Sequence, residues 1–174
     1  MSDLGRPDVA TAFGELGRML RAEQSSATTL LRVIELVRQT LPTVVGASIT
    51  VVTGERSPYT LAFSGRVAMD LDEKQYDAGS GPCLDAARTA QTIAVDHSDP
   101  RRPYGEFSEL AVAAGVNHTL SVGLPLDDEL TGGLNIYATG EIDRSFREHA
   151  EAFAGYAAAA ASRAAIPDRP GRAT

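Results

Sequence analysis

Residues 70–99, DLDEKQYDAGSGPCLDAARTAQTIAVDHSD, change character three times in one short stretch. Asp70–Gln75 reads as a short acidic helix. Gly79-Ser80-Gly81 then supplies a backbone able to take positive φ. Pro82 suits the first turn of a helix, where its missing N–H is no loss, so a helix is predicted over Cys83–Arg88 with Ser80 as its N-cap. Thr92–Val95 reads as a compact strand ending at Asp96 and His97. A glycine turn, a helix N-terminus and a cysteine beside it together describe a lid over a small pocket. They also describe an ordinary tight helix start, and this stretch alone leaves both readings open.

Working outward, the chain is helical at its two ends and strand-rich between them. Over Asp8–Arg21, Val9, Phe13, Leu16 and Leu20 recur at three or four residues, which predicts a helix with a narrow apolar stripe. Such a stripe suits another helix, in this chain or a second copy. Ser25 and Ser26 precede a second helix, Ala27–Thr40, with Leu30, Ile34 and Val37 on one face, ended by Leu41-Pro42. The period then falls to two. Gly46–Thr53 and Tyr59–Ser64 form a hairpin across the Gly54–Pro58 turn. A helix is predicted over Tyr104–Ala114, stopped by Gly115. Strands follow at Asn117–Leu126 and Gly133–Ala138, joined by a turn over Asp127–Gly132. Asp143 caps a long alanine-rich helix reaching Ala165, and residues 167–174 read as a disordered tail. The plan is α+β with an antiparallel sheet.

The 174 residues suffice for one domain with a sizeable core. A formal charge of −7, with no basic cluster beyond Arg101-Arg102, argues against nucleic-acid binding and against docking on anionic membrane. No apolar run is long enough to span a bilayer, and the N-terminus does not read as a signal peptide. A single cysteine excludes an internal disulfide and fits a reducing cytoplasm.

Four segments, YDAGSGPCLDAARTAQTIAVDHSDP (76–100), AGVNHTLSVGLPL (114–126), GGLNIYA (132–138) and IDRSFREHAEAFA (142–154), together resemble a GAF domain. The resemblance covers roughly residues 27–165. It is nearest to the actinobacterial GAF domains found with ANTAR-type antitermination regulators. It implies a central antiparallel sheet of five to six strands in order 2-1-5-4-3. The terminal helices would pack on one face, often across a dimer, with short helices and loops as a lid over a small-molecule pocket on the other. Only nine residues follow Ala165, so no ANTAR module is expected and RNA binding is not carried over. The implied organisation is an N-terminal dimerisation helix (1–24), a GAF domain (25–166) and a tail. The implied role is a non-catalytic sensor acting as a homodimer and read by a protein partner carrying the output function. No cofactor is implied by a motif.

Candidate ligand-binding residues are Cys83, Asp96, Tyr104, Phe107, His118, Asn135 and Tyr137. Cys83 is either a low-pKa redox thiol or a small buried residue. A thiol enzyme built on it would need His97 or His118 as base. Asp96 is either a pocket acceptor or the cap of the following loop. Tyr104 and Phe107 serve as pocket walls or as packing. His118 and His97 lack a second metal ligand at a diagnostic spacing. Asn135 and Tyr137 share one face of their strand and Leu134 and Ile136 the other; periodicity does not say which face meets the pocket. A dimerisation module without a ligand is the remaining alternative.

Overall fold

The computed structural model describes residues 5–54, 56–126 and 129–165. Helices α1 (Val9–Arg21) and α2 (Ser26–Thr40) lead into strands β1 (Val44–Thr53) and β2 (Tyr59–Ser64). Helices α3 (Arg66–Ala78) and α4 (Pro82–Thr89) precede β3 (Thr92–Asp96). Then come α5 (Gly105–Ala113), β4 (His118–Pro125), β5 (Leu130–Ala138) and α6 (Arg144–Ala165). The five strands form one sheet in the order β2-β1-β5-β4-β3, antiparallel at every pairing. This is the expected topology, with five strands among the described residues. The expected tail lies outside those residues, as do Glu55 and Asp127-Asp128 of the two expected turns.

The capping expected for the terminal helices is present. Asp8 accepts the Thr11 amide at α1, Ser25 the Thr28 amide at α2, and Asp143 the Phe146 amide at α6. These three helices lie on one face of the sheet. Leu30, Ile34 and Val37 of α2 and Phe153 of α6 bury themselves against Ile49 and Leu134. Each such side chain contributes about 1.5–3 kcal/mol. The narrow stripe of α1 is used within the chain: Ala12 and Leu16 are buried, and the Phe13 ring meets Phe153 at 4.8 Å and Tyr156 at 5.5 Å.

On the opposite face, α3 is longer than the sequence reading, running from Arg66 rather than Asp70. The expected Ser80 cap is also corrected. The N-cap of α4 is Gly81, at φ 148°, and no side chain within the turn bonds the helix end. A Cβ on Gly81 would stand 2.3 Å from Gln75 Oε1, so glycine is required here for close approach as well as for backbone conformation. Helix α4 rests directly on the sheet over Gly123, which pairs with Gly133 across β4 and β5. A Cβ at Gly123 would stand 2.3 Å from the Ala86 carbonyl oxygen.

Candidate functional site

The period-2 geometry of β1, β4 and β5 sorts their residues into two unlike faces. Ala47, Ile49, Leu120, Val122, Leu134 and Ile136 point at α2 and α6. Ser48, Thr50, Thr119, Ser121, Asn135 and Tyr137 alternate with them and point at α3–α5; all six are fully buried. One face of the sheet is apolar, and the other is buried yet polar.

Those polar side chains join α3 and α4 in one hydrogen-bonded cluster. Asn135 accepts from Ser121 Oγ at 3.0 Å and donates to Ser48 Oγ at 3.1 Å and Thr50 Oγ1 at 2.8 Å. Thr50 meets the Tyr76 hydroxyl at 2.7 Å, and Tyr76 meets Thr60 at 2.8 Å. Thr60 donates to Asp72 Oδ2 at 2.9 Å, and Tyr137 donates to Asp72 Oδ1. Because Thr60 spends its proton on Asp72, Tyr76 donates to Thr60 and Thr50 donates to Tyr76. Every donor therefore points along the chain toward one buried carboxylate. Burial pushes the Asp72 carboxyl up to about 6, against the bonds from Ser48, Tyr137 and Thr60 that favour its ionised form. Burial likewise raises the Tyr76 and Tyr137 phenols, and the Asp72 charge raises them further.

Gln75 supplies the cap that the α4 turn lacks. Its Oε1 accepts the Cys83 amide at 2.9 Å and its Nε2 donates to the Tyr137 hydroxyl at 3.2 Å. The lid helix is thus wired to the floor of the site through one side chain. Replacing Gln75 with Leu leaves a buried amide without an acceptor and is expected to destabilise the fold by about 2–3 kcal/mol in urea denaturation. An unchanged midpoint would show that the Cys83 amide has another partner.

Cys83 is fully buried. Burial raises its thiol well above the usual range, and the Asp72 charge adds to this, outweighing the Thr50 hydroxyl and the helix amides. Of the two readings of Cys83, its burial supports the small buried residue and speaks against the low-pKa thiol. Native Cys83 is expected to resist iodoacetamide at pH 8 and to alkylate only on unfolding. Stoichiometric labelling of the native protein within minutes would restore the reactive-thiol reading.

The structure brings Cys83, Asn135 and Tyr137 together and places Tyr104 and Phe107 at their margin. The Tyr104 hydroxyl donates to Asp85 of α4, which ties the start of α5 to the lid. Phe107 packs with Ala68, Leu71 and Tyr137. Asp96 and His118 stand outside the cluster. Asp96 is exposed, and its Oδ1 accepts from the Ser98 hydroxyl at 2.6 Å and the Ser98 amide at 2.9 Å, which lower its carboxyl. It caps the loop. His118 is half-buried at the far end of β4, paired with Asp96 and Ala138. His97 is held between Ser108 Oγ and Thr119 Oγ1, each at 2.7 Å; burial lowers it to about 4, so it is neutral at pH 7. Among the described residues no group of three or more His, Cys, Asp or Glu is placed to hold a metal ion. Asp72, Gln75 and Tyr76 were not singled out by the sequence reading. Their signal was a helical face of polar residues beside the glycine turn.

The model of the GAF domain family matches residues 23–164. No curated protein matches the chain. Solved structures share the fold at low identity. A phycocyanobilin-bound GAF domain from a cyanobacterial phytochrome is 15% identical with a TM-score of 0.67, covering 92% of this chain and 97% of that one. The GAF domain of a phosphoenolpyruvate-protein phosphotransferase from Coxiella burnetii is 16% identical with a TM-score of 0.66, covering 91% and 95%. The fRMsr of Staphylococcus aureus in its reduced form is 18% identical with a TM-score of 0.64, covering 87% and 94%.

Proposed function

The chain belongs to the GAF domain family, and from that premise we propose that it is a non-catalytic sensory and regulatory module. It binds a small polar molecule between the sheet and α3–α5 and passes the change to the terminal helices of a homodimer. The chain is akin to the GAF domains found with ANTAR-type regulators, works in the cytoplasm, and an unidentified protein partner in transcriptional or signal-transduction control reads that change. No direct contact with nucleic acid or membrane is part of this reading.

The observation that carries it is the unlikeness of the two sheet faces. Apolar side chains on both faces would give the more stable protein, since buried polar groups contribute little net free energy even when paired. Ser48, Thr50, Ser121 and Asn135 hold that surface polar nonetheless. In the present structure they satisfy one another; a ligand offering its own donors and acceptors replaces those bonds and lifts α4. Cys83, Asn135 and Tyr137 contact the ligand, with Tyr104 and Phe107 at its edge. The dimer uses the outer side of the terminal helices, where Leu31 is 45% exposed. Removing residues 1–24 uncovers Phe153 and Tyr156 and weakens the dimer; a monomeric intact chain in light scattering would dismiss it.

A quadruple variant, Ser48→Ala/Thr50→Val/Ser121→Ala/Asn135→Leu, tests the site. It is expected to stay folded but to melt below the wild type, because Asp72 loses the Ser48 bond and Tyr76 the Thr50 bond. It is also expected to lose the thermal shift that a protein-free metabolite extract of the expressing cells, depleted of free amino acids, induces in the wild type. Equal shifts in both proteins would place binding elsewhere. No shift in the wild type would leave a dimerisation module with a closed interior, the reading that the seating of α4 on Gly123 favours.

A further inference from the structure

An open cleft of about 490 Å³ lies on the outer side of α5, apart from the buried cluster. Small-molecule sites occupy roughly 300–1,000 Å³. His97 and Arg102 wall it from the β3–α5 connection, Glu109, Val112 and Ala113 from α5, and Asn117 from the turn into β4. The wall holding His97 is fixed, since both ring nitrogens are bonded.

Arg102 is the unusual member. Its Nε is buried and has no hydrogen-bond partner. Its Nη1 reaches only the Asp99 carbonyl, at 3.5 Å, the outer limit of a hydrogen bond. Among the described residues, neither Arg102 nor Glu109 forms an ion pair. The neighbouring Arg101 differs: its side chain is 92% exposed and faces the Asp99 carboxylate. The Nη groups, rather than the buried Nε, are the donors that a carboxylate in the cleft can reach on two parallel bonds. Glu109 in the same cleft balances that charge and opposes a dianion such as phosphate. Asn117 spends its amide nitrogen on the Thr139 carbonyl at 3.0 Å, which leaves its side-chain oxygen free to accept. Val112, 49% exposed, adds an apolar surface.

One unpaired cation, one unpaired carboxylate and one apolar side in a single cleft have a definite complement. We propose that this cleft binds a small zwitterion with a hydrocarbon body, its carboxylate on Arg102, its ammonium toward Glu109 and its hydrocarbon against Val112 and Ala113. The site is separate from the one under α4.

Four probes test it by thermal shift and calorimetric titration: L-leucine, 4-methylpentanoate, 3-methylbutylamine and inorganic phosphate. Leucine is expected to give a saturable rise in melting temperature, 4-methylpentanoate a weaker one, and the amine and phosphate none. Arg102→Gln should lower leucine affinity at least about tenfold without disturbing the fold, because it leaves no partner orphaned. Glu109→Gln should abolish the preference for leucine over 4-methylpentanoate. The quadruple variant of the sheet face should bind leucine as the wild type does. Absence of a leucine response, an equal response to phosphate, unchanged affinity in Arg102→Gln, or loss of leucine binding in the quadruple variant would each overturn the proposal.

Discussion

Replacing Gly123 with Ala is expected to destabilise the protein by about 3 kcal/mol or more, the upper range for overpacking. The methyl group would stand 2.3 Å from the Ala86 carbonyl oxygen and 2.7 Å from the Ala90 Cα. Both neighbours are backbone, so no side chain can rotate out of the way. Relief requires α4 to rise from the sheet, and α4 is held by the Gln75 bond to Cys83 and the Tyr104 bond to Asp85. Lifting the helix therefore strains both ties and exposes Cys83. Urea denaturation reads the loss of stability, and alkylation of Cys83 in the folded variant reads the lifted helix. A variant as stable as the wild type, with its thiol still protected, would mean that α4 does not rest on β4 as described. The same variant bears on the proposed function, which has a ligand enter under a raised α4.

The second large effect is a pair of opposed pH dependences. Asp72 moves from 3.8 to about 6 on folding, so the folded state favours its protonated form. That contribution is complete below pH 4 and is lost as pH rises through 6. His97 moves the other way, from 6.5 to about 4; its contribution is present above pH 6.5 and is lost as pH falls toward 4. Each is on the order of 3 kcal/mol. Between pH 4 and 6 the two slopes nearly cancel in the wild type. Asp72→Asn retains the shape, accepts from Tyr137 through Oδ1 and donates to Thr60, whose hydroxyl turns to Tyr76 while Tyr76 reverses to donate to Thr50. Relative to wild type it should gain about 3 kcal/mol at pH 8 and nothing at pH 4. His97→Asn, compared in the same way, should show the reverse slope, relatively more stable at pH 4 than at pH 7. Parallel stability curves for wild type and Asp72→Asn would show that Asp72 is not the buried acceptor of the cluster.

The fold was largely legible in the sequence because it is written in period and punctuation. Leu30, Ile34 and Val37 mark α2 by spacing alone, and the alternation around Ile49 and Leu134 marks the strands. Asp8, Ser25 and Asp143 cap where their chemistry places them. The errors lie where a distant residue replaces a local device. Ser80 had the right side chain for a cap, but Gln75, six residues before Gly81, performs that role from another helix. Helix α3 is longer than its sequence suggests because its buried face mixes Asp72 and Gln75 with Ala68 and Leu71, and a half-polar stripe does not read as a core. Cys83 sits at a helix N-terminus as the sequence implied, but burial outweighs the helix amides there. Asn135 and Tyr137 were visible as a pair; which face they lined depended on which helices covered each side of the sheet. Asp96 and Ser98 close their own loop locally, the reading that spacing alone could support. Arg102 carried no signal, since only the folded β3–α5 connection brings it beside Glu109 and Val112.

In the proposed function the buried polar face of the sheet holds a small molecule. Mass spectrometry of freshly purified protein, under native and then denaturing conditions, tests it most directly. An added mass is expected in the native spectrum that disappears on denaturation and is missing from the Ser48→Ala/Thr50→Val/Ser121→Ala/Asn135→Leu variant. An added mass that survives denaturation, or one other than a free amino acid that the variant retains, would contradict it.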